Sequence, residues 1–166
     1  FLEKTMTATV SIIIGSDSDM NLAKKCSETL DSLSIDNSIN VYSAHRSPEL
    51  VAEHLKACEE GGTKVFIAMA GLAAHLAGAV ASKTVKPVIG VPGDGGPLQG
   101  FDSLLSTVQM PKGVPVATVA IGSAGAVNSA ILAAQMISLS SPEVEQSLKK
   151  QREDSVKSIE QINKDL

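Results

Sequence analysis

A parallel α/β fold is what this sequence predicts, and three observations make the case. Five short aliphatic runs, at residues 10–14, 39–42, 65–68, 88–91 and 116–121, read as strands buried on both faces. Stretches with helical spacing follow at 20–33, 48–60, 73–84, 101–109 and 124–139. Such alternation builds a parallel sheet covered by crossover helices. The chain's 166 residues suit one domain with a substantial core.

Taken in order, each element has its own justification. Residues 1–8 read as a disordered leader or expression remnant, because Phe1-Leu2-Glu3-Lys4-Thr5 lacks the basic start and long apolar run of a signal peptide, and Met6 is a candidate native start. The first strand, Val10-Ser11-Ile12-Ile13-Ile14, is almost wholly β-branched and runs into the small polar turn Gly15-Ser16-Asp17-Ser18-Asp19. The second helix opens on Ser47-Pro48-Glu49 and a later one on Ser141-Pro142-Glu143. Each sets out a capping hydroxyl, a first-turn proline and an acid matched to the helix dipole. His54, among Glu53, Lys56 and Glu59, is expected on an exposed face of the second helix. The third strand leads into Ala70-Gly71-Leu72-Ala73-Ala74-His75-Leu76, which puts His75 in the first turn of the next helix. After the fourth strand, Gly90-Val91-Pro92-Gly93-Asp94-Gly95-Gly96-Pro97-Leu98 reads as a flexible or tightly turned loop, a lid by position. Helix 124–139 is almost free of charge and rich in Ala, Ser and Gly, so it belongs in the core or in a subunit interface. The domain spans 9–141. Residues 142–166 form a charged helix whose apolar contacts, Val144, Leu148, Val156, Ile159 and Ile162, pack on that domain or on a neighbouring subunit.

Composition narrows the function classes. The only aromatics are three Phe and one Tyr, and 14 basic against 18 acidic residues give a net charge of −4. Base-stacking surfaces and electrostatic capture of nucleic acid or an acidic membrane are therefore not expected. The uncharged stretch 113–142 is broken by Pro115, Gly122, Gly125 and Asn128, which fits a buried strand and helix better than a membrane span. Cys26 and Cys58 show no metal-ligand spacing and read as packed, reduced thiols of a cytoplasmic protein.

Chemistry concentrates at strand ends, where open parallel sheets bind their ligands. The turn holding Ser16, Asp17, Ser18 and Asp19 offers hydroxyls and helix N-terminal N–H groups to an anion such as phosphate, although the same residues also read as ordinary turn and cap chemistry. No phosphate-binding GxxxxGK[ST] or dinucleotide GxGxxG pattern is present. Asp17, Asp19, Asn21 and Glu28 mimic a calcium loop, but Leu22 stands where its sharp turn needs Gly. After the second strand, Ser43-Ala44-His45-Arg46-Ser47 joins an imidazole able to transfer protons near neutrality to a guanidinium able to hold phosphate or carboxylate. His75, among small residues that permit close approach of a ligand, reads either as a site group or as a histidine buried in a packed helix.

Gly15-Ser16-Asp17-Ser18-Asp19-Met20, Ser43-Ala44-His45-Arg46-Ser47-Pro48, Ala73-Ala74-His75-Leu76, Pro87-Val88-Ile89-Gly90-Val91-Pro92, Asp102-Ser103-Leu104-Leu105-Ser106 and Val108-Gln109-Met110-Pro111 closely resemble the N5-carboxyaminoimidazole ribonucleotide mutase family, in the same order and over about residues 9–150. The resemblance implies a flavodoxin-like three-layer αβα sandwich and a cytoplasmic homo-octamer with active sites shared between subunits. It implies an isomerase of purine biosynthesis that moves CO2 from nitrogen to carbon 4 of an aminoimidazole ribonucleotide, with no metal or organic cofactor. On the same ground His45 is the catalytic proton shuttle. Ser16, Asp17, Ser18 and Asp19 bind phosphate and ribose, with Ser43 and Arg46 assisting, and Gly71, Ala74 and His75 surround the CO2 region. The chain departs from the family pattern at Leu72, at Ala77 and in the loop 93–97, departures that bear on the CO2 pocket and its lid. A related class II carboxylase, which takes free CO2 and the unmodified amine, is one alternative, disfavoured by Arg46 and His75. A non-catalytic nucleotide-phosphate binding protein is another. A flavin-dependent electron carrier is disfavoured by the scarcity of aromatics.

Overall fold

In the computed structural model, which describes residues 8–166, the strands β1 (Val10–Ile14), β2 (Asn37–Val41), β3 (Val65–Ala70), β4 (Val88–Pro92) and β5 (Ala117–Thr118) form one sheet. All pairings are parallel and the strand order is β2-β1-β3-β4-β5. This is the doubly wound flavodoxin-like order, in which the chain reverses its direction of travel between β1 and β3 and leaves a crevice at their carboxyl ends. The crossover helices are α1 (Met20–Ser32), α2 (Pro48–Glu60), α3 (Leu76–Ala81), α4 (Phe101–Val108) and α5 (Gly122–Ser138), and α6 (Pro142–Lys164) follows them.

Alternating strand residues feed two cores, because successive side chains leave a strand on opposite faces. On one face Val10, Ile12, Ile14, Ile67, Met69, Ile89 and Val91 pack against Ala23, Cys26 and Leu30 of α1 and the alanine stripe Ala126, Ala130, Ala133 and Ala134 of α5. On the other, Ile13, Phe66, Ala68 and Val88 meet Val51, Leu55 and Cys58 of α2 and Leu76, Ala77 and Val80 of α3. The alanines are what let the uncharged α5 lie close to α1, and they place it in the core, one of the two positions its composition allows. Cys26 and Cys58 are buried and free. Burial pushes the Cys26 thiol up to about 12, against a hydrogen bond with Ser129. Gly90, in the middle of β4, is required by packing: a Cβ there would lie 2.5 Å from Thr107 Cγ2 and 2.8 Å from Val116 Cγ1.

Several expectations change. Only β1, β3 and β4 are buried on both faces; β2 and β5 are the sheet's edges, and of β2 only Ser38 is buried. Ser47 and Ser141 do precede α2 and α6, but neither hydroxyl caps its helix. Ser47 Oγ donates instead to the Ser43 carbonyl and accepts the Ser43 N–H, which folds 43–47 into a closed turn. His54 is buried, not exposed. Its Nε2 lies 3.0 Å from Ser11 Oγ of β1, and its ring lies 4.7 Å from that of Tyr42 between centroids, tilted by 35°. Burial holds its pKa below the usual imidazole range. Of the expected leader, residues 1–7 lie outside the described residues, while Ala8 is buried and its carbonyl accepts the Thr63 hydroxyl at 2.7 Å. The first turns of α6 lie on the domain through Val144 and Leu148, whereas Val156, Ile159 and Ile162 are exposed. Among the described residues, no helix is long and apolar enough to cross a membrane.

Candidate active site

Four loops rise from the carboxyl ends of neighbouring strands and enclose a cleft of about 530 Å³. The first follows β1, where Asp17–Asp19 make a single 3₁₀ turn ahead of α1. Ser16 Oγ and Ser18 Oγ lie 2.5 Å apart, so two hydroxyls point into the same small volume beside the α1 N-terminus. Partial burial raises the Asp19 carboxyl above its usual range; nearby Asp94 adds to this, against a hydrogen bond from the Ser16 backbone. The second loop follows β2, where the Ser43–Ser47 turn holds the backbone from which His45 and Arg46 project. Arg46 Nη2 donates to the Gly15 carbonyl at 2.9 Å, and its N–H donates to Ser43 Oγ at 3.2 Å. The guanidinium thus tethers the second loop to the first.

The third loop, after β3, carries His75 immediately before α3. His45 Nε2 lies 2.8 Å from His75 Nδ1, the rings meeting edge to face at 76°. A contact this short between ring nitrogens needs one of them bare and the other protonated, so the pair holds a proton between two loops. The fourth loop, after β4, is tightly turned. Gly93 N–H donates to the Ala70 carbonyl at 2.8 Å, and Ser103 Oγ donates to the Gly93 carbonyl at 2.6 Å. Gly96 and Gly100 take φ of 88° and 85°, values that favour glycine.

Of the residues singled out in sequence, Ser16, Ser18, Asp19, Ser43, His45, Arg46, Gly71 and His75 line the cleft. Asp17 is exposed and outside the wall. Ala74 is buried beneath it, with its N–H already given to the Leu72 carbonyl. The wall also includes Ala44, Ala70, Leu72, Ala73, Leu76, Gly95 and Gly96. The small size of Ala44, Ala70, Ala73, Gly95 and Gly96 beside the strand ends was the available signal for those five; Leu72 and Leu76 carried no such signal. Among the described residues, no three His, Cys, Asp or Glu are grouped so as to hold a metal ion.

This geometry has relatives. The chain is similar to proteins named N5-carboxyaminoimidazole ribonucleotide mutase from Pyrococcus abyssi, at 50% identity over 87% of this chain and 82% of that one, and from Bacillus subtilis, at 47% identity over 93% and 95%. A crystal structure of PurE from Treponema denticola superposes with a TM-score of 0.86 at 32% identity, covering 95% of this chain and 97% of that one. The family model described as AIR carboxylase matches residues 9–158. By sequence and by fold, this chain belongs to the AIR carboxylase family.

Proposed function

We propose that the cleft converts N5-carboxyaminoimidazole ribonucleotide into 4-carboxy-5-aminoimidazole ribonucleotide, an isomerisation in purine biosynthesis. The observation that carries this reading is the 2.8 Å His45–His75 contact set beside the Ser16–Ser18 turn and Arg46. Anion-binding groups and a proton-transfer group share one cleft. The names of relatives at 46–51% identity support the same reaction.

The chemistry follows from what the reaction must move. In the first half, the carbamate N–C bond breaks, CO2 leaves, and the electron pair stays on nitrogen, which takes a proton from His45. In the second half, carbon 4 attacks CO2, the new C–C bond forms, and the ring proton returns to His45. The histidine ends as it began. Ser16, Ser18 and the first N–H groups of α1 hold the phosphate, with Arg46 and Ser43 at its side. Asp19 faces the ribose, and Gly71 and His75 border the carboxyl end. The reaction as written needs no cofactor.

Two assays separate this reading from its rivals. The protein is mixed with the carbamate substrate, and separately with the amine plus bicarbonate, and carboxylated product is followed. Rapid product from the carbamate is expected. Product only from the amine and bicarbonate assigns a class II carboxylase, and binding of either ribonucleotide without product assigns a non-catalytic binding protein. We further propose a cytoplasmic homo-octamer. The buried free thiols fit a reducing compartment, and exposed apolar residues on α4 fit burial between subunits.

A further inference from the structure

Leu72 stands at the mouth of the cleft in a conformation that asks for a reason. Its φ is 54°, in the left-handed region where a side chain bearing a Cβ is strained. Such strain persists where the surroundings enforce it, and it gathers at functional sites. Burial does not offset it, because the residue is 56% exposed. What the conformation achieves is reach. The Leu72 side chain crosses to the fourth loop and occupies the space above Gly96, so that a Cβ added at Gly96 would lie 2.5 Å from Leu72 Cδ2. Both ends of this bridge are anchored. The third loop holds Leu72 through the Ala74 N–H on its carbonyl at 2.9 Å, and the fourth is tied to β3 by the Gly93 N–H on Ala70. His45 and His75 line the same cleft.

We infer that Leu72 is a retention residue, an apolar bar between the third and fourth loops that keeps CO2 in the cleft between the two half-reactions. The inference rests on the reaction proposed above. Between breaking of the N–C bond and formation of the C–C bond, CO2 is covalently attached to nothing. It is small and uncharged, so polar groups hold it weakly, and a steric wall is what sets its escape. An isobutyl group over a glycine supplies such a wall without a hydrogen-bonding group that would draw water in. Leu72 is a positioning residue by this account, acting on the fate of CO2 and not on the proton.

The test follows the carbon. Substrate labelled with ¹³C in its carbamate is turned over in unlabelled bicarbonate with carbonic anhydrase, and the label in the carboxylated product is read by mass spectrometry at low conversion. The parent is expected to keep most of the label. L72G, which also relieves the φ strain and so does not endanger the fold, and L72A are expected to lower label retention about twofold or more while releasing free aminoimidazole ribonucleotide. Conversion with equal retention in parent and variants overturns the role of Leu72 and leaves the reaction standing. Unchanged retention accompanied by a smaller mass in light scattering assigns Leu72 to a subunit contact and equally overturns it. A parent that converts no carbamate overturns the reaction and the inference together.

Discussion

At the scale of single residues, the His45–His75 contact sets the sharpest expectation. In the reaction proposed above nitrogen gains a proton and carbon loses one, and we assign both transfers to His45, whose Nε2 lies 2.8 Å from His75 Nδ1. His45→Asn is therefore expected to keep ribonucleotide binding, through Ser16, Ser18 and Arg46, and to lose turnover by roughly 10²-fold or more at saturating substrate. Turnover at the parent level would move the proton to His75 or water. Arg46 is exposed in the isolated chain, so its contribution to phosphate binding belongs to the charged hydrogen bonds worth about 1.5–3 kcal/mol, below the range for a fully buried pair. Titration calorimetry of Arg46→Ala with a phosphorylated ligand at fixed salt checks this, and unchanged affinity removes Arg46 from the phosphate site. Both residues were legible in the sequence because a histidine and an arginine beside a helix start at a strand end are unusual company. Leu72 was legible only as a departure from pattern, since a backbone dihedral and a contact across to Gly96 depend on loops far apart in the chain.

At the scale of elements, α2 shows how a local pattern misleads. His54 has charged neighbours along the chain, yet it shares its helix face with Val51, Leu55 and Cys58, all buried. The three- and four-residue spacing of that stripe was the signal that outweighs the neighbours. The burial has a consequence in pH. Because it lowers the folded-state pKa of His54, the unfolded chain binds more protons below about pH 6.5, so this stability is complete above that pH and is lost as pH falls through the folded-state value. Urea midpoints should drop between pH 7 and pH 5 in the parent and drop less in His54→Gln; parallel profiles would show that other groups set the acid limb. The edge strands illustrate a different gap. Asn37, Ser38 and Asn40 make β2 too polar to be bounded from hydropathy, and the two residues of β5 are fewer than the aliphatic run 116–121 suggests.

At the scale of the whole molecule, the sheet order decides where function sits. Alternation of strands and helices announced a parallel sheet, but the order β2-β1-β3-β4-β5 is a property of pairing between distant segments and came only with the resemblance. That order gathers the loops after β1, β2, β3 and β4 around one cleft. It also leaves α4 turned inside out: Ser103 and Thr107 are buried, while Phe101, Leu105 and Val108, on one stripe, are exposed. A surface helix with an apolar outer face is expected to be covered by another subunit. Light scattering at micromolar concentration should give the mass of an octamer, and Leu105→Glu should shift it to smaller species. A monomeric parent would sink the assembly.

Tyr42 is the chain's one tyrosine, and there is no tryptophan. Its ring leans on His54 and it stands just before the Ser43–Ser47 turn, so the intrinsic ultraviolet emission comes almost wholly from a single fluorophore placed between the buried imidazole and the loop that carries His45. An imidazolium quenches tyrosine more strongly than a neutral imidazole. The molecule thus carries its own optical gauge: one emission band, with no label attached, is expected to report the protonation of His54 on α2 and the seating of the loop that holds His45.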